Sequence, residues 1–264
     1  EQREAQASAA AEATASWNEA EPATDHPYLN KKGIRAHGVR THDGYLLIPA
    51  MIGEQLYSVQ FISADGEKRF LPGGRLKGCS HLIPGQGTQL VIAEGYATAA
   101  SIHEATGDAV AIAFSANNLL PVAHAFMQRI VTGKLNGCGE KIVIAGDNDD
   151  TGTGQRYAIE AARAVGGMVA LPEQIGDWND VHQREGLAAV KTGIAAAVHP
   201  ANLTDHAIST GNTGNTGNSV DSTKDPAIPG TGNAPGTTGN EPGTKPKKSA
   251  ADGFRLTAKG ALLA

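Results

Sequence analysis

The sequence predicts an α/β protein: a parallel sheet flanked by helices, preceded by a small β-rich subdomain and followed by a disordered C-terminal linker. Three observations predict it. From residue 88 onward, short apolar runs alternate with helical patterns, and repeated strand–helix units imply a parallel sheet with right-handed crossovers. Between residues 44 and 74, strand-like runs succeed one another through Gly-containing turns, the pattern of an antiparallel meander. Beyond residue 201, Gly, Thr, Asn and Pro displace apolar residues, and TGN recurs at 210–212, 213–215, 216–218, 231–233 and 238–240, so no apolar face can form.

Each element follows in order. Residues 1–25 are rich in Ala, Glu and Gln and read as a solvated helix or frayed end, with Trp17 as the only strong anchor. Residues 26–87 form a β-rich basic subdomain. In it HPYLNKKGI suggests a short helix, and GYLLIPAMI and QLYSVQFIS are strands separated by a turn at Gly53-Glu54. A second turn at Asp65-Gly66 precedes KRFLPGG.

Residues 88–200 form the α/β unit. TQLVIAE is a strand, GYATAASIHEATG a helix ended by Gly107, DAVAIAF a strand, NNLLPVAHAFMQRIV largely helical, and KIVIAGD a strand. TGQRYAIEAARAVGG is a helix with Ala158, Ala161, Ala162 and Val165 on one face at i, i+3, i+4, i+7 spacing. MVALP is a short strand and LAAVKTGIAAAV a final helix. Residues 201–252 are the linker, and 253–264, GFRLTAKGALLA, turn apolar again and read as the start of a further, truncated domain.

Composition bounds the partners. A length of 264 residues suffices for one or two domains. The formal net charge is −5, so the whole chain is not a basic nucleic-acid binder, and any such contact comes from a local patch. The two cysteines, Cys79 and Cys138, form no C-x-x-C, which excludes a zinc ribbon or finger within these residues, and they fit a reducing cytoplasm at least as well as a single disulfide. No apolar run is long enough to span a bilayer, and the first residues lack the apolar stretch of a signal peptide. The start at Glu1 reads as a piece cut from a longer protein.

The chemistry lies in acids placed where buried strands end. In parallel sheets the ligand site lies at the carboxyl ends of the strands. Glu94 follows TQLVIA and precedes Gly95; alone, it also fits a helix-start Glu facing the helix dipole. Asp147, Asp149 and Asp150 crowd DNDD after KIVIAG. In extended backbone, Asp147 and Asp149 lie on the same side and can face one cation. The plainer reading is a turn that caps the helix near Thr153, but a cap needs only one such residue. GDWNDVH adds Asp177 and Asp180, either as further ligands or as an N-cap of the next helix. Converging carboxylates repel unless a cation neutralises them, and hard oxygen ligands suit Mg²⁺ or Mn²⁺. In KRFLPGGRLKG, Lys68, Arg69, Arg75 and Lys77 surround two glycines, which suits phosphate contacts or simply a solvated hairpin. His26, His37, His42, His81 and His103 show no metal spacing and read as structural or exposed.

Glu at one strand end, Asp-x-Asp at a later one and a helix after each resemble the Toprim domain of topoisomerases, bacterial-type primases and some nucleases. AEGYATA resembles its first motif and AGDNDDTGTGQ its second. The segment YSVQFISADGEKRFLPGGRLKG resembles the small domain that precedes Toprim in primases, and GDWNDVH the DWND-like sequence of primases from plasmids, phages and integrated elements. HPYLNKKGI is similar to their approach to this domain, and residues 253–264 to the start of a helicase-associated domain in primase–helicase fusions.

The resemblance implies the catalytic core of a DNA primase, a nucleotidyltransferase of the DNA-directed RNA polymerase type. It makes Glu94, Asp147 and Asp149 catalytic metal-site acids, with Asp177 and Asp180 as further ligands of Mg²⁺ or Mn²⁺. It gives Lys68, Arg69, Arg75 and Lys77 the phosphates of template or nucleotide. The implied partners are single-stranded DNA, nucleoside triphosphates and a helicase domain in cis or in trans, with no membrane. The chain departs from the family in having no zinc-binding module within these residues. Two rivals remain open: a Toprim nuclease, in which the same metals activate water, and a non-catalytic DNA-binding or loading module of a primase–helicase.

Overall fold

The computed structural model describes residues 1–134 and 141–203. The expected linker beyond Leu203, the apolar stretch 253–264 and Cys138 lie outside the described residues.

The chain opens with α1 (Gln2–Glu19), β1 (Glu21–Pro22), α2 (Pro27–Lys32), β2 (Arg40–His42), β3 (Tyr45–Ile52), β4 (Gln55–Ile62) and β5 (Lys68–Phe70). The five strands form one antiparallel sheet in the order β1-β2-β3-β4-β5. A two-residue turn at Gly53-Glu54 joins β3 to β4, and Gly53 supplies the positive φ of 61° that such turns require. The run YLLIPAMI is apolar on both faces because both are covered. Leu46 and Ile48 face the main core, while Leu47 faces a separate cluster with Val59, Phe61 and Leu71.

Helix α1 corrects one expectation. It is a packed element, with Ala9, Ala13 and Ser16 buried and the two alanines part of the cluster that covers this second face. Small side chains at i, i+4 and i+7 let the helix backbone approach the sheet closely. Trp17 adds to this contact but does not carry it alone: the guanidinium of Arg40 lies 4.5 Å from its ring centroid and donates 2.7 Å to its carbonyl oxygen.

The second half comprises β6 (His81–Ile83), β7 (Gln89–Ala93), α3 (Tyr96–Thr106), β8 (Ala109–Ile112), α4 (Leu119–Val131), β9 (Lys141–Ala145), α5 (Thr153–Val165), β10 (Met168–Ala170), α6 (Trp178–Glu185) and α7 (Leu187–Ala195). The second sheet has the order β10-β9-β7-β8-β6. Its first four strands are parallel, and β6 runs antiparallel to β8 at the edge. This sheet therefore begins at His81, ahead of the strand–helix alternation that sequence places from residue 88.

Alternation sorts its side chains into two layers. Val91, Ala93, Val110, Ile112, Val143 and Ala145 face α3, α6, α7 and the first sheet. Leu90, Ile92, Ala109, Ala111, Ile142 and Ile144 face α4 and α5. The chain adds β8 on one side of β7, then crosses to add β9 on the other. The strand order thus reverses between β7 and β9, where open α/β sheets form their crevice. Among the described residues no helix is long and apolar enough to cross a membrane.

Candidate active site

Adjacent strands bring the first two acids together. Ala93 of β7 pairs in register with Ala145 of β9. Glu94 leaves β7 directly, and Asp147 follows β9 after Gly146. A Cβ at Gly146 would lie 2.6 Å from the Ala158 methyl, so only glycine lets α5 pack against this strand end. The loop bearing Asp147 is then tied to the loop bearing Asp177. Asn148 and Gly176 exchange backbone hydrogen bonds of 3.0 and 2.9 Å, and the Asn148 side chain donates 2.9 Å to Pro172 O.

Glu94, Asp147 and Asp177 consequently line one cavity of about 160 Å³, together with Tyr28, Lys32 and Lys68. Glu94 Oε1 and Asp147 Oδ1 are buried and have no hydrogen-bond partner. Burial, Asp149 and Asp177 push the Glu94 carboxyl up to about 7. Burial, Glu94 and Asp177 push Asp147 up to about 8. Two such carboxylates resist ionising together without a counter-charge. Their unpartnered oxygens and like charges fit a hard divalent cation, which accepts several oxygen ligands. The fit concerns one cavity wall: among the described residues, no group of three or more His, Cys, Asp or Glu is drawn into a ready-made coordination cluster.

The structure separates the other acids. Asp149 is turned into the start of α5, where it accepts hydrogen bonds from the backbone N–H of Thr151 (2.9 Å), Thr153 (3.1 Å) and Gly154 (2.6 Å). Desolvation, the largest single influence, raises its carboxyl, but the hydrogen bonds from Thr151, Gly154 and Thr153 together outweigh it and hold the group below its ordinary value. Asp177 and Asp180 form a capping box on α6. Asp177 Oδ1 accepts from Asn179 N at 2.7 Å and Asp180 N at 3.0 Å, and Asp180 Oδ2 accepts from Asp177 N at 3.0 Å. Cap and pocket roles thus coexist at Asp177; Asp149 and Asp180 make helix-start hydrogen bonds and are not among the residues that line the cavity. Asp150 is exposed.

The four basic candidates also part company. Lys68 reaches the acids: a Cβ on Gly95 would sit 3.6 Å from its Nζ, although the residue as a whole is exposed. Burial holds its ammonium below the usual lysine range, with Asp177 pulling the other way. Arg69 pairs with Glu67 at 2.5 Å. Arg75 lies 5.0 Å from the centroid of the Tyr57 ring. Arg75 and Lys77 line a separate cavity beside α4, with His124 and Gln128.

Sequence reasoning missed several residues that build the site. Phe114, just past β8, lines the cavity and stacks edge-on against Phe70 at 5.6 Å, holding β5 and its Lys68 over the strand ends. Its φ of 70° is a strained value for an aromatic residue. Asn118 ties the basic loop down: its Nδ2 donates to Ala113 O (2.8 Å) and Cys79 O (3.0 Å), and its Oδ1 accepts from Gly78 N (2.8 Å). Asn179 Nδ2 donates to Lys32 O at 2.8 Å and to Ser101 Oγ at 3.0 Å, joining α6, α2 and α3. A single Asn at the start of a helix carries no spacing signal for such contacts. Two of the histidines are structural: His26 Nδ1 caps α2 by accepting from Tyr28 N, and His37 pairs with Glu104 at 2.8 Å.

Comparison with known proteins follows the same lines. Residues 89–188 match the family model described as Toprim domain. The chain is similar to a DNA primase TraC of Escherichia coli, 38% identical over 162 residues, covering 55% of this chain and 15% of that protein. A second DNA primase TraC of Escherichia coli matches at the same identity over 11% of its length. The chain thus spans less than a fifth of the curated relatives it matches. Among solved structures, it resembles a chain from the bacteriophage T7 lagging-strand DNA polymerase bound to gp4 primase domains (15% identity, 67% of this chain, 90% of that one, TM-score 0.44). It also resembles the RNA polymerase domain of Mycobacterium tuberculosis primase DnaG (16% identity, 65% and 62% covered, TM-score 0.41).

Proposed function

We propose that this chain, whose residues 89–188 match the Toprim domain model, is the catalytic core of a DNA primase that builds short primers on single-stranded DNA. The observation that carries the reading is a single cavity lined by the carboxylates of Glu94, Asp147 and Asp177 together with the ammonium groups of Lys32 and Lys68. The 38% identity to proteins named DNA primase supports the same reaction class.

Glu94 and Asp147 would hold Mg²⁺ or Mn²⁺, with Asp177 at the edge of the same wall. Bound there, the ion would supply Lewis acidity toward a phosphoryl oxygen and the attacking primer hydroxyl. The protein's own groups do the rest. Lys68 sets a positive charge in the cavity of the acids, where it would meet the triphosphate of the incoming nucleotide. Asp149 fixes the start of α5, and its charge keeps the field at Glu94 negative. Asp180 holds Asp177 through the capping box. Arg69, Arg75 and Lys77 lie on the same basic segment outside the cavity, and the proposal gives them the template strand. A helicase as the downstream partner belongs to the same proposal.

The test incubates the chain with single-stranded DNA, ribonucleotides, deoxyribonucleotides and Mg²⁺ or Mn²⁺. Template-dependent oligonucleotides, lost with chelator and in Asp147→Asn, are the expected result. Degraded template would replace the primase with a nuclease. Intact template binding with neither product would leave a loading module.

A further inference from the structure

Asn148 stands between Asp147 and Asp149 yet does not line the acid cavity, and neither does Gln155 of α5. Their side chains form a relay of amides outside it. Gln155 is 6% exposed, and its Nε2 donates to Asn148 Oδ1 at 2.6 Å and to Asp149 O at 2.9 Å. Asn148 Nδ2 donates onward to Pro172 O at 2.9 Å and to Glu173 O at 3.4 Å. Every partner of either nitrogen is an acceptor, so the contacts themselves fix which way both amides face. Gln155 Oε1 is buried without a partner. An apolar residue of the same length would avoid that cost but would leave Asn148 Oδ1 without its donor.

The relay joins the start of α5, the end of β9 and the segment after β10. A Cβ on Gly154 would lie 2.6 Å from Asp147 O, so α5 begins directly against the Asp147 backbone. Asn148 and Gly176 exchange backbone hydrogen bonds, and Asp177 follows Gly176. Asp147 and Asp177 then share one cavity, where their like charges push the two loops apart. The amide relay opposes that push. Walls that do not yield select ions by size. Mg²⁺ takes oxygen ligands at about 2.0–2.1 Å in a strict octahedron, whereas Ca²⁺ takes more of them at about 2.3–2.6 Å in looser geometry.

We propose that Asn148 and Gln155 are positioning residues that make the acid cavity selective for a small divalent ion, Mg²⁺ or Mn²⁺, over Ca²⁺. They touch neither ion nor substrate. They hold the Asp147 loop to the 172–177 segment, so the carboxylates do not spread to the longer Ca²⁺ distances. The assignment rests on the metal site of the primase reading and does not depend on primer synthesis.

The test reads ion binding directly. Free Mn²⁺ is followed by electron paramagnetic resonance as the chain is titrated, and Mg²⁺ and Ca²⁺ are then added as competitors. The variants are Asn148→Ala and Gln155→Met; should the first fail to fold, the second carries the test. Each is expected to bind Mn²⁺ and Mg²⁺ about fivefold more weakly, the scale of one net hydrogen bond. Ca²⁺ affinity should stay within twofold, so the preference for Mg²⁺ over Ca²⁺ narrows by about the same factor. In an Asp177→Asn background, Asn148→Ala should shift Mg²⁺ affinity less than twofold, because the positioned carboxylate is gone. Ala13→Leu, which strains the chain at α1, should leave the preference unchanged. Equal weakening of Mg²⁺ and Ca²⁺ makes the amides merely structural and overturns the proposal, as does an unchanged preference or the same loss in the Asp177→Asn background. A parent that binds no Mn²⁺ removes the metal site of the primase reading and this selectivity with it. A parent that binds Mn²⁺ while both variants keep its preference leaves the metal site standing and overturns the relay alone.

Discussion

Glu94 and Asp147 each sit one or two residues beyond a central strand, yet they differ in kind from Asp149. The first two have buried oxygens with no partner, whereas Asp149 is surrounded by donors. Substitution separates these roles. Asp149→Ala removes the cap of α5 and is expected to cost about 1 kcal/mol, within the ~0.5–2 kcal/mol range of lost caps, as read by urea unfolding. Asp147→Asn removes a destabilising charge, so it should leave stability equal or higher while primer synthesis disappears. The pH dependence carries a definite sign. The Asp147 carboxyl rises from 3.8 to about 8 and Glu94 from 4.5 to about 7 on folding. The folded chain therefore holds more protons than the unfolded one between those values, and without divalent ions its stability falls as pH rises from about 4 through 8. Melting temperatures at pH 5 and 8.5 check this. Asp147→Asn should flatten the slope, and Mg²⁺ should stabilise more at the higher pH.

The elements divide by how their contacts are spaced. Strands β7, β8 and β9, and helix α5 with its Ala158, Ala161, Ala162 and Val165 face, were legible because a period of 2 or 3.6 writes their burial into the sequence. The packing of α1 was not: alanines on every side give it no apolar stripe, and its buried positions are set by a sheet more than thirty residues away. Ala13→Leu tests that contact. Overfilling a fully buried methyl site should cost roughly 1–3 kcal/mol, whereas the same change at an exposed alanine of α1 should cost almost nothing. Helix α2 was legible as a helix but not as part of the site, because its link to the acids runs through Asn179. Asn179→Ala should speed amide exchange across residues 28–33, measured by mass spectrometry, and weaken nucleotide binding with Glu94 and Asp147 intact.

For the whole molecule, two sheets share one core, and the acid crevice opens where the order of the parallel sheet reverses. The sequence order Glu94, then Asp147-x-Asp149, then Asp177 and Asp180 indicated a Toprim-type arrangement, but strand order is a long-range property. Nothing local in KIVIAGD says that β9 lies beside β7 rather than beyond β8. The crevice also makes ligand and fold interdependent. A divalent ion with tripolyphosphate should raise the melting temperature in proportion to the logarithm of ligand concentration, and Glu94→Gln with Asp147→Asn should abolish that rise.

The reversed edge strand β6 has a practical meaning for anyone who dissects the chain. It is covalently continuous with the first half but hydrogen-bonded to the second, pairing His81 with Ile112 and Ile83 with Val110. A fragment that starts at residue 88, where strand–helix alternation begins, would strip β8 of that cover. The apolar run Ala109–Ile112 would then present open backbone donors and acceptors to the next molecule. Such a fragment should self-associate through its sheet edge and sediment as oligomers, whereas one that starts at residue 79 keeps the guard strand and should associate less through that edge, both fragments having lost the cover of the first sheet.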